Sequence, residues 1–533
     1  MQAIKFDSFV NTLIIFVSTI VVGYFFIQIY PIEQRAVDAG LVLSKLVNYP
    51  DEISPLKEYY FKSWTLIHQI AKLFLILKWS TLDVSKVIIF ITTVFYFLGI
   101  VLTVKASTKK IWLAILIALM TLIFQKNFGD TDYPSMIFSE NTYGALSLAL
   151  VTFIFGLLIS YNLFAAGLFS SLLISVHPVI GVWINGIIIL SIIINNYYFN
   201  FSFNKKSFFK GFIIGAVFSG ISFFYHYIST PDFNSLFNLE TYNNYMKYWD
   251  GHRTSSIYHM EYLTKTFFLF VLSLISLVFF KKNFTENLRF GLFCFLVSIF
   301  ASTLFYFIYK IFYPLMPDLI KLIIPSRFTI MHSVIGWPLI LGIIFVFIKK
   351  LETKNKLYKN LSYISIIMII LIYSISHHKI FIRLKTSFTN NYIEKVVAYD
   401  EKIFWNTVKN TSFDGYVVTS YSSSTISMRK GFKPIILDVT SFDFVPYFPN
   451  TAQSLKKIIE EIYEIEFTNP PQNLKNSASI NDEIIKKTFK KRTKENWEKL
   501  SKNFNFKAII VPSDWEIQLT PYKESKRFTF YIL

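Results

Sequence analysis

With 533 residues, of which 53% are hydrophobic, 19% aromatic and only 16% charged, the chain is too apolar for an ordinary soluble protein. A formal net charge of +19 would suit nucleic acid, but Lys and Arg fall mostly between apolar runs and in the last third, a placement that membrane topology explains better. The single cysteine, Cys294, lies inside an apolar run, so an internal disulfide is excluded.

One lysine, Lys5, precedes the first apolar run, Phe9 to Ile29, which lacks a small-residue exit and is expected to stay as a first span. A long loop, 30–86, follows. Within it Trp64, Leu66, Ile67, Ile70, Leu73, Phe74 and Leu77 recur at helical spacing, with Lys62, His68, Lys72 and Lys78 between them. That pattern predicts an amphipathic helix on the membrane surface. Further runs near 86–104, 111–125, 141–159, 161–177, 179–195, 208–226, 263–280, 290–312, 328–348 and 360–377 bring the expectation to about eleven transmembrane helices. Pro178 cannot continue a helix through its own position, so two short spans should meet in a tight turn at His177-Pro178.

Residues 1–378 thus form an α-helical polytopic region, and 379–533 have a soluble composition. Tyr416-Val-Val-Thr419, Pro434-Ile-Ile-Leu437, Lys507-Ala-Ile-Ile-Val511 and Arg527-Phe-Thr-Phe-Tyr-Ile532 predict strands; 451–466 and 481–503 predict helices. A small α/β domain is expected there.

If the N-terminus is cytoplasmic, the connections 105–110, 205–210, 281–289 and 349–359, the short ones densest in positive charge, all fall inside. The terminal domain then lies outside the cytoplasmic membrane, on the side of the longer, chemically varied loops. That side also collects the polar candidates: Glu33, Arg35, Asp38, Asp51 and Glu52 in the first loop; Asp130 and Asp132 in Gly129-Asp-Thr-Asp; His177; Asp250-Gly-His252-Arg253 with His259; and Arg327. Two carboxylates two residues apart, Asp130 and Asp132, can share a divalent metal ion, although an isolated Asp-x-Asp also fits a solvated turn. His177 also fits a helix cap, Arg253 and Arg327 also fit interfacial anchors, and Arg35 with Asp38 also fits a structural pair. The middles of the spans hold almost no ionisable groups, which disfavours a substrate or lipid translocator.

This organisation resembles the GT-C class of membrane glycosyltransferases, and more narrowly a group of bacterial multispanning proteins with GT-C-like layout. The likeness is carried by Gly129-Asp130 before a span, His177-Pro-x-x-Gly181 at a span junction, His252-Arg253 in a later loop, Pro325-Ser-Arg327 opening a late span, and Ser427-Met-Arg429-Lys430-Gly-Phe-Lys433 with Trp497 and Tyr531 near the end. It implies transfer of a sugar from a polyprenyl-phosphate donor, a membrane lipid, to an envelope acceptor. It implies Asp38 as the base with Asp51 in reserve, His177, Asp250, His252, Arg253 and Arg327 as substrate-binding groups, and Asp130 and Asp132 as acceptor or metal ligands. The class places its first-loop acid in a clearer acidic motif, whereas here Glu33, Asp38 and Asp51 compete. The alternative expectation is a non-catalytic membrane component of polysaccharide assembly or export.

Overall fold

Apolar runs of this length satisfy their backbone hydrogen bonds internally by forming helices, and the chain does so. The computed structural model describes residues 2–29, 33–51, 54–123, 142–201, 203–233, 237–250, 260–279, 284–323, 326–352, 393–438 and 440–533. Helix α1 (Gln2–Ile29) is followed by three helices in the first loop: α2 (Arg35–Leu43), α3 (Pro55–Lys62) and α4 (Leu66–Ile76). Next come α5 (Thr81–Thr108), α6 (Ile111–Ile123), α7 (Thr142–Ile159), α8 (Leu163–Val176), α9 (Pro178–Ile194) and α10 (Lys205–Ser229). A loop helix, α11 (Leu239–Tyr248), precedes α12 (Met260–Phe279), α13 (Glu286–Phe312) and α14 (Ser326–Glu352). Each expected span from 9–29 to 328–348 coincides with one of these helices, and the expected span 360–377 lies outside the described residues. Among the described residues five segments, Phe9–Gln28, Thr81–Thr108, Pro178–Phe199, Lys205–Ser229 and Leu288–Phe312, are long and apolar enough to cross a membrane; the apolar stretches Leu66–Ile76, Ile111–Ile123, Gly144–Ile159, Leu163–Val176, Thr264–Val278 and Val334–Val346 are shorter.

The turn at His177-Pro178 forms as its sequence requires. Val176 ends α8, Pro178 takes the first position of α9, where its missing N–H is no loss, and His177 joins the two. The His177 ring Nδ1 accepts from the Ile180 N–H at 3.5 Å. A Cβ on Gly181 would lie 2.5 Å from the Ile174 Cα, so the close return of α9 onto α8 needs glycine there.

Elsewhere small residues bring helices into backbone contact. Gly211, Gly215 and Ser219, spaced four apart on α10, face Gly167 and Ser171 on α8, and Gly99 on α5 meets Gly156 on α7. A hypothetical Cβ on Gly211 would sit 1.9 Å from the Phe164 carbonyl oxygen, and one on Gly167 would sit 2.1 Å from that of Phe208. Small-residue faces of this kind are how helices approach closely where no water drives them together.

These crossings sort the connections into two ends of the bundle. At one end Phe203 packs on Phe290 with centroids 4.4 Å apart, Gly291 lies against Ile159, and Gly342 lies against Ser107 and Thr108. This end carries the lysine-dense connections 105–110 and 205–210. At the other end Thr65 donates to the Val176 carbonyl at 2.7 Å, and Trp64 Nε1 donates to that of Ser222 at 3.0 Å. The first loop, the 177–178 turn and the end of α10 therefore meet.

The terminal region has α15 (Ile393–Asn410), β1 (Tyr416–Thr419), α16 (Ser424–Gly431), α17 (Ala452–Lys457, continued as a π-helix to Ile462), α18 (Asp482–Lys491), α19 (Lys494–Phe504), β2 (Phe506–Pro512), β3 (Lys523–Glu524) and β4 (Phe528–Ile532). The sheet order is β1-β2-β4-β3, with β1 parallel to β2 and the other pairs antiparallel. Alternation assigns its two faces: Val417, Ala508, Ile510 and Phe530 pack on Phe404, Trp405 and Val408, while Val418, Ile509, Val511 and Tyr531 pack toward Phe489 and Trp497. A small sheet with helices was expected in this region and is present. The expected strand 434–437 supplies only an isolated bridge, Ile435 to Val417, and the expected helix 481–503 breaks at Arg492-Thr493, where Thr493 caps a new helix.

Part of this domain's core comes from elsewhere in the chain. Tyr245 and Trp249, both fully buried, enter from the loop after α10. The Tyr245 hydroxyl donates to the Phe442 carbonyl at 2.5 Å and Trp249 Nε1 to that of Phe467 at 2.8 Å, while the Tyr248 and Trp249 carbonyls accept from the Asn476 and Ala478 N–H groups.

Candidate functional site

A buried polar cluster lies where the first loop meets the terminal domain. Helix α2 begins at Arg35 and buries its face Ala36 to Val42 against α4, because Ala71 and Leu75 recur on the facing side. That packing carries Asp38, in the first turn of α2, inward. Across the junction, α16 presents Arg429, which is buried like Asp38. Arg429 Nε donates to Asp38 Oδ1 at 2.6 Å and Nη2 to Oδ2 at 2.8 Å, a bidentate pair between residues 391 apart; Nη1 donates to the Glu33 carbonyl at 3.1 Å.

Aromatic side chains from the first loop and the terminal domain meet at the same junction. Tyr59 stacks on Phe444 with centroids 3.5 Å apart, Tyr49 meets Tyr416 edge-on at 5.9 Å, and the Tyr49 hydroxyl points at Met428 Sδ, 3.6 Å away. A second buried carboxylate, Asp438, accepts from the Ser441 N–H and the Thr440 hydroxyl, each at 3.1 Å. Arg35, Asp38, Tyr49, Tyr60 and Tyr421 all interact with it electrostatically. The Tyr421 hydroxyl is buried without a hydrogen-bond partner among the described residues.

Burial raises the Asp438 carboxyl to about 6, against the lowering pull of Arg35. Burial also raises Asp38, with the Arg429 guanidinium opposing it. A carboxylate whose pKa is higher folded than unfolded favours the folded state most when protonated, so its contribution is lost as pH rises through its folded value. The junction is therefore expected to weaken between about pH 4 and 6. For Asp438 the shift corresponds to roughly 3 kcal/mol. Thermal unfolding of the full chain measured across that range checks this: Asp438→Asn should flatten the dependence, and an unchanged slope in that variant would refute the assignment.

The other sequence candidates are not all gathered here. Asp51 is fully exposed, with Lys57 Nζ 3.8 Å away. His177 is buried at the α8–α9 turn, where it caps α9. Asp250 is buried beside Trp249, and its N–H donates to the Tyr245 carbonyl at 3.2 Å. Arg327 stands in the first turn of α14, with its side chain outside what the structure describes. Asp130, Asp132, His252, Arg253, Glu52 and His259 lie outside the described residues. Among the described residues no group of three or more His, Cys, Asp or Glu side chains could hold a metal ion.

Sequence reasoning missed Arg429 and Asp438 as partners of the first-loop acids, and nothing local signals a pairing across several hundred residues. It also missed His332, a buried imidazole inside the bundle whose Nε2 lies 2.8 Å from the Ser298 hydroxyl. The one first-loop imidazole, His68, is buried on α4 with Nδ1 3.3 Å from the Ser63 carbonyl, and burial lowers it to about 4, so it stays neutral near pH 7.

No model of a known protein family matches the chain, and no curated protein matches it either.

Proposed function

We propose that the chain is a membrane glycosyltransferase of GT-C-like organisation, transferring a sugar from a polyprenyl-phosphate donor to an envelope acceptor at the membrane face that carries the first loop and the terminal domain. The observation that carries this reading is the convergence of the first loop, the 177–178 turn, the 239–250 segment and the terminal domain at one end of the helix bundle, opposite the lysine-dense connections. The lysine-dense end is assigned to the cytoplasm, which puts the chemistry outside.

Transfer needs a base for the acceptor hydroxyl and cations for the leaving phosphate. Both oxygens of Asp38 are taken by Arg429, so Asp38 holds the terminal domain on the loop and acts as a positioning residue. Asp51, exposed on the same loop, is the acid open to an acceptor and takes the base role. His177, Asp250, His252, Arg253 and Arg327 remain the groups proposed to bind donor phosphate and sugar, and Asp130 with Asp132 to orient the acceptor or hold a divalent metal. In proteoliposomes supplied with a labelled polyprenyl-phosphate sugar, Asp51→Asn should lower transfer by about 10²-fold or more. Wild-type transfer by that variant would remove Asp51 from the role, and no transfer by the wild type would remove the reading.

The second reading, a non-catalytic component of polysaccharide assembly, is favoured by one observation: the buried Asp38–Arg429 pair consumes the first-loop acid that the resemblance nominates as base.

A further inference from the structure

Helix α4 is apolar on two sides. Ile67, Ala71 and Leu75 are buried against α2, yet Leu73, Ile76 and Leu77 are 56%, 54% and 59% exposed, and Trp79 just beyond is 44% exposed. In water such a second stripe would be a liability; next to a bilayer it is a lipid-facing surface. The stripe runs into a groove of about 940 Å³ between α1 and α5. The walls of that groove are apolar, with Ile20, Val21, Tyr24 and Ile27 from α1 and Val87 and Phe90 from α5. Its mouth is polar and carries Lys78, Trp79, Ser80, Asp83 and Lys86.

The charges at the mouth do not cancel. Lys86 Nζ lies 3.4 Å from Asp83 Oδ1, and the Ser80 hydroxyl donates to Asp83 Oδ2 at 2.6 Å, so Asp83 is already matched. Lys78 is exposed, and its ammonium pairs with no acidic group among the described residues. Two ammoniums and one carboxylate leave one net positive charge at the mouth of an apolar trough, close to the end of a span. A phosphodiester carries one negative charge and a phosphomonoester closer to two, so the complement is a phosphodiester lipid.

We propose that this groove seats one anionic glycerophospholipid of the surrounding bilayer, its phosphodiester held by Lys78 and Lys86 and an acyl chain lying along Tyr24, Val21 and Phe90. Trp79 sits at headgroup depth, where an indole ring has an apolar body for the chain and a polar edge for the interface. The bound lipid packs α1, which is largely exposed along its length, against the first loop. This site does not rest on a transfer activity, and its test needs none.

The test is native mass spectrometry of the purified full chain in a neutral detergent, titrated with phosphatidylglycerol and, separately, with a polyprenyl phosphate. Three proteins are compared: wild type, Lys78→Gln/Lys86→Gln, and Val21→Trp, which fills the groove from an exposed wall position. The wild type should retain one phosphatidylglycerol at least tenfold more tightly than either variant, with all three unfolding at similar temperatures. Equal retention by the three proteins overturns the site, and tighter retention of the polyprenyl phosphate than of phosphatidylglycerol overturns the assigned occupant.

Discussion

Replacing Arg429 with leucine while keeping Asp38 is expected to destabilise the junction between the first loop and the terminal domain by about 3–5 kcal/mol, because it strands a buried carboxylate. Both side chains are almost entirely shielded, at 5% and 3% exposure, so water cannot replace the lost guanidinium. The pair itself need not be strongly stabilising, since desolvating two charges offsets much of their attraction. The double variant Asp38→Leu/Arg429→Met should therefore recover most of the loss, which a simple count of lost hydrogen bonds would not foresee. Protease susceptibility of the terminal domain and unfolding midpoints in detergent measure both. If the single variant matches wild type, the pair does not hold the junction.

The second large effect is expected on α10. Gly211→Val should cost about 3 kcal/mol, because its Cβ would fall 1.9 Å from a backbone oxygen that cannot rotate away, and the two helices must separate. Gly220 on the same helix is the internal control, since a Cβ there meets nothing within 4 Å. Gly220→Ala should be neutral or slightly stabilising, as alanine has the higher helix propensity. Thermal aggregation of the two purified variants separates the explanations: similar midpoints would mean that the α8–α10 crossing tolerates separation and that glycine is incidental there.

Both predictions concern features that sequence reading treated unevenly. The amphipathic pattern at 64–77 anticipates a helix where α4 forms, but not that it is apolar on two sides, one serving the loop core and the other exposed. The Gly211-x₃-Gly215-x₃-Ser219 spacing was in plain view and identifies a close helix contact, but it names no partner. Asp38 stands out in the sequence as an acid beside a span, and a pair with Arg35 is the structural role the sequence suggests; the partner that binds it most closely is Arg429.

Features that depend on neighbours in the chain were settled by the residues themselves: where apolar helices run, where Pro178 starts α9, and where β1, β2 and β4 form, because hydropathy, capping and alternation act over a few residues. Features that depend on residues far apart were settled only by folding. The Asp38–Arg429 pair, the entry of Tyr245 and Trp249 into the terminal core, and the burial of Asp438 beside Arg35 each require surfaces that exist only once the bundle and the sheet have packed, and no local pattern encodes which buried charge will meet which.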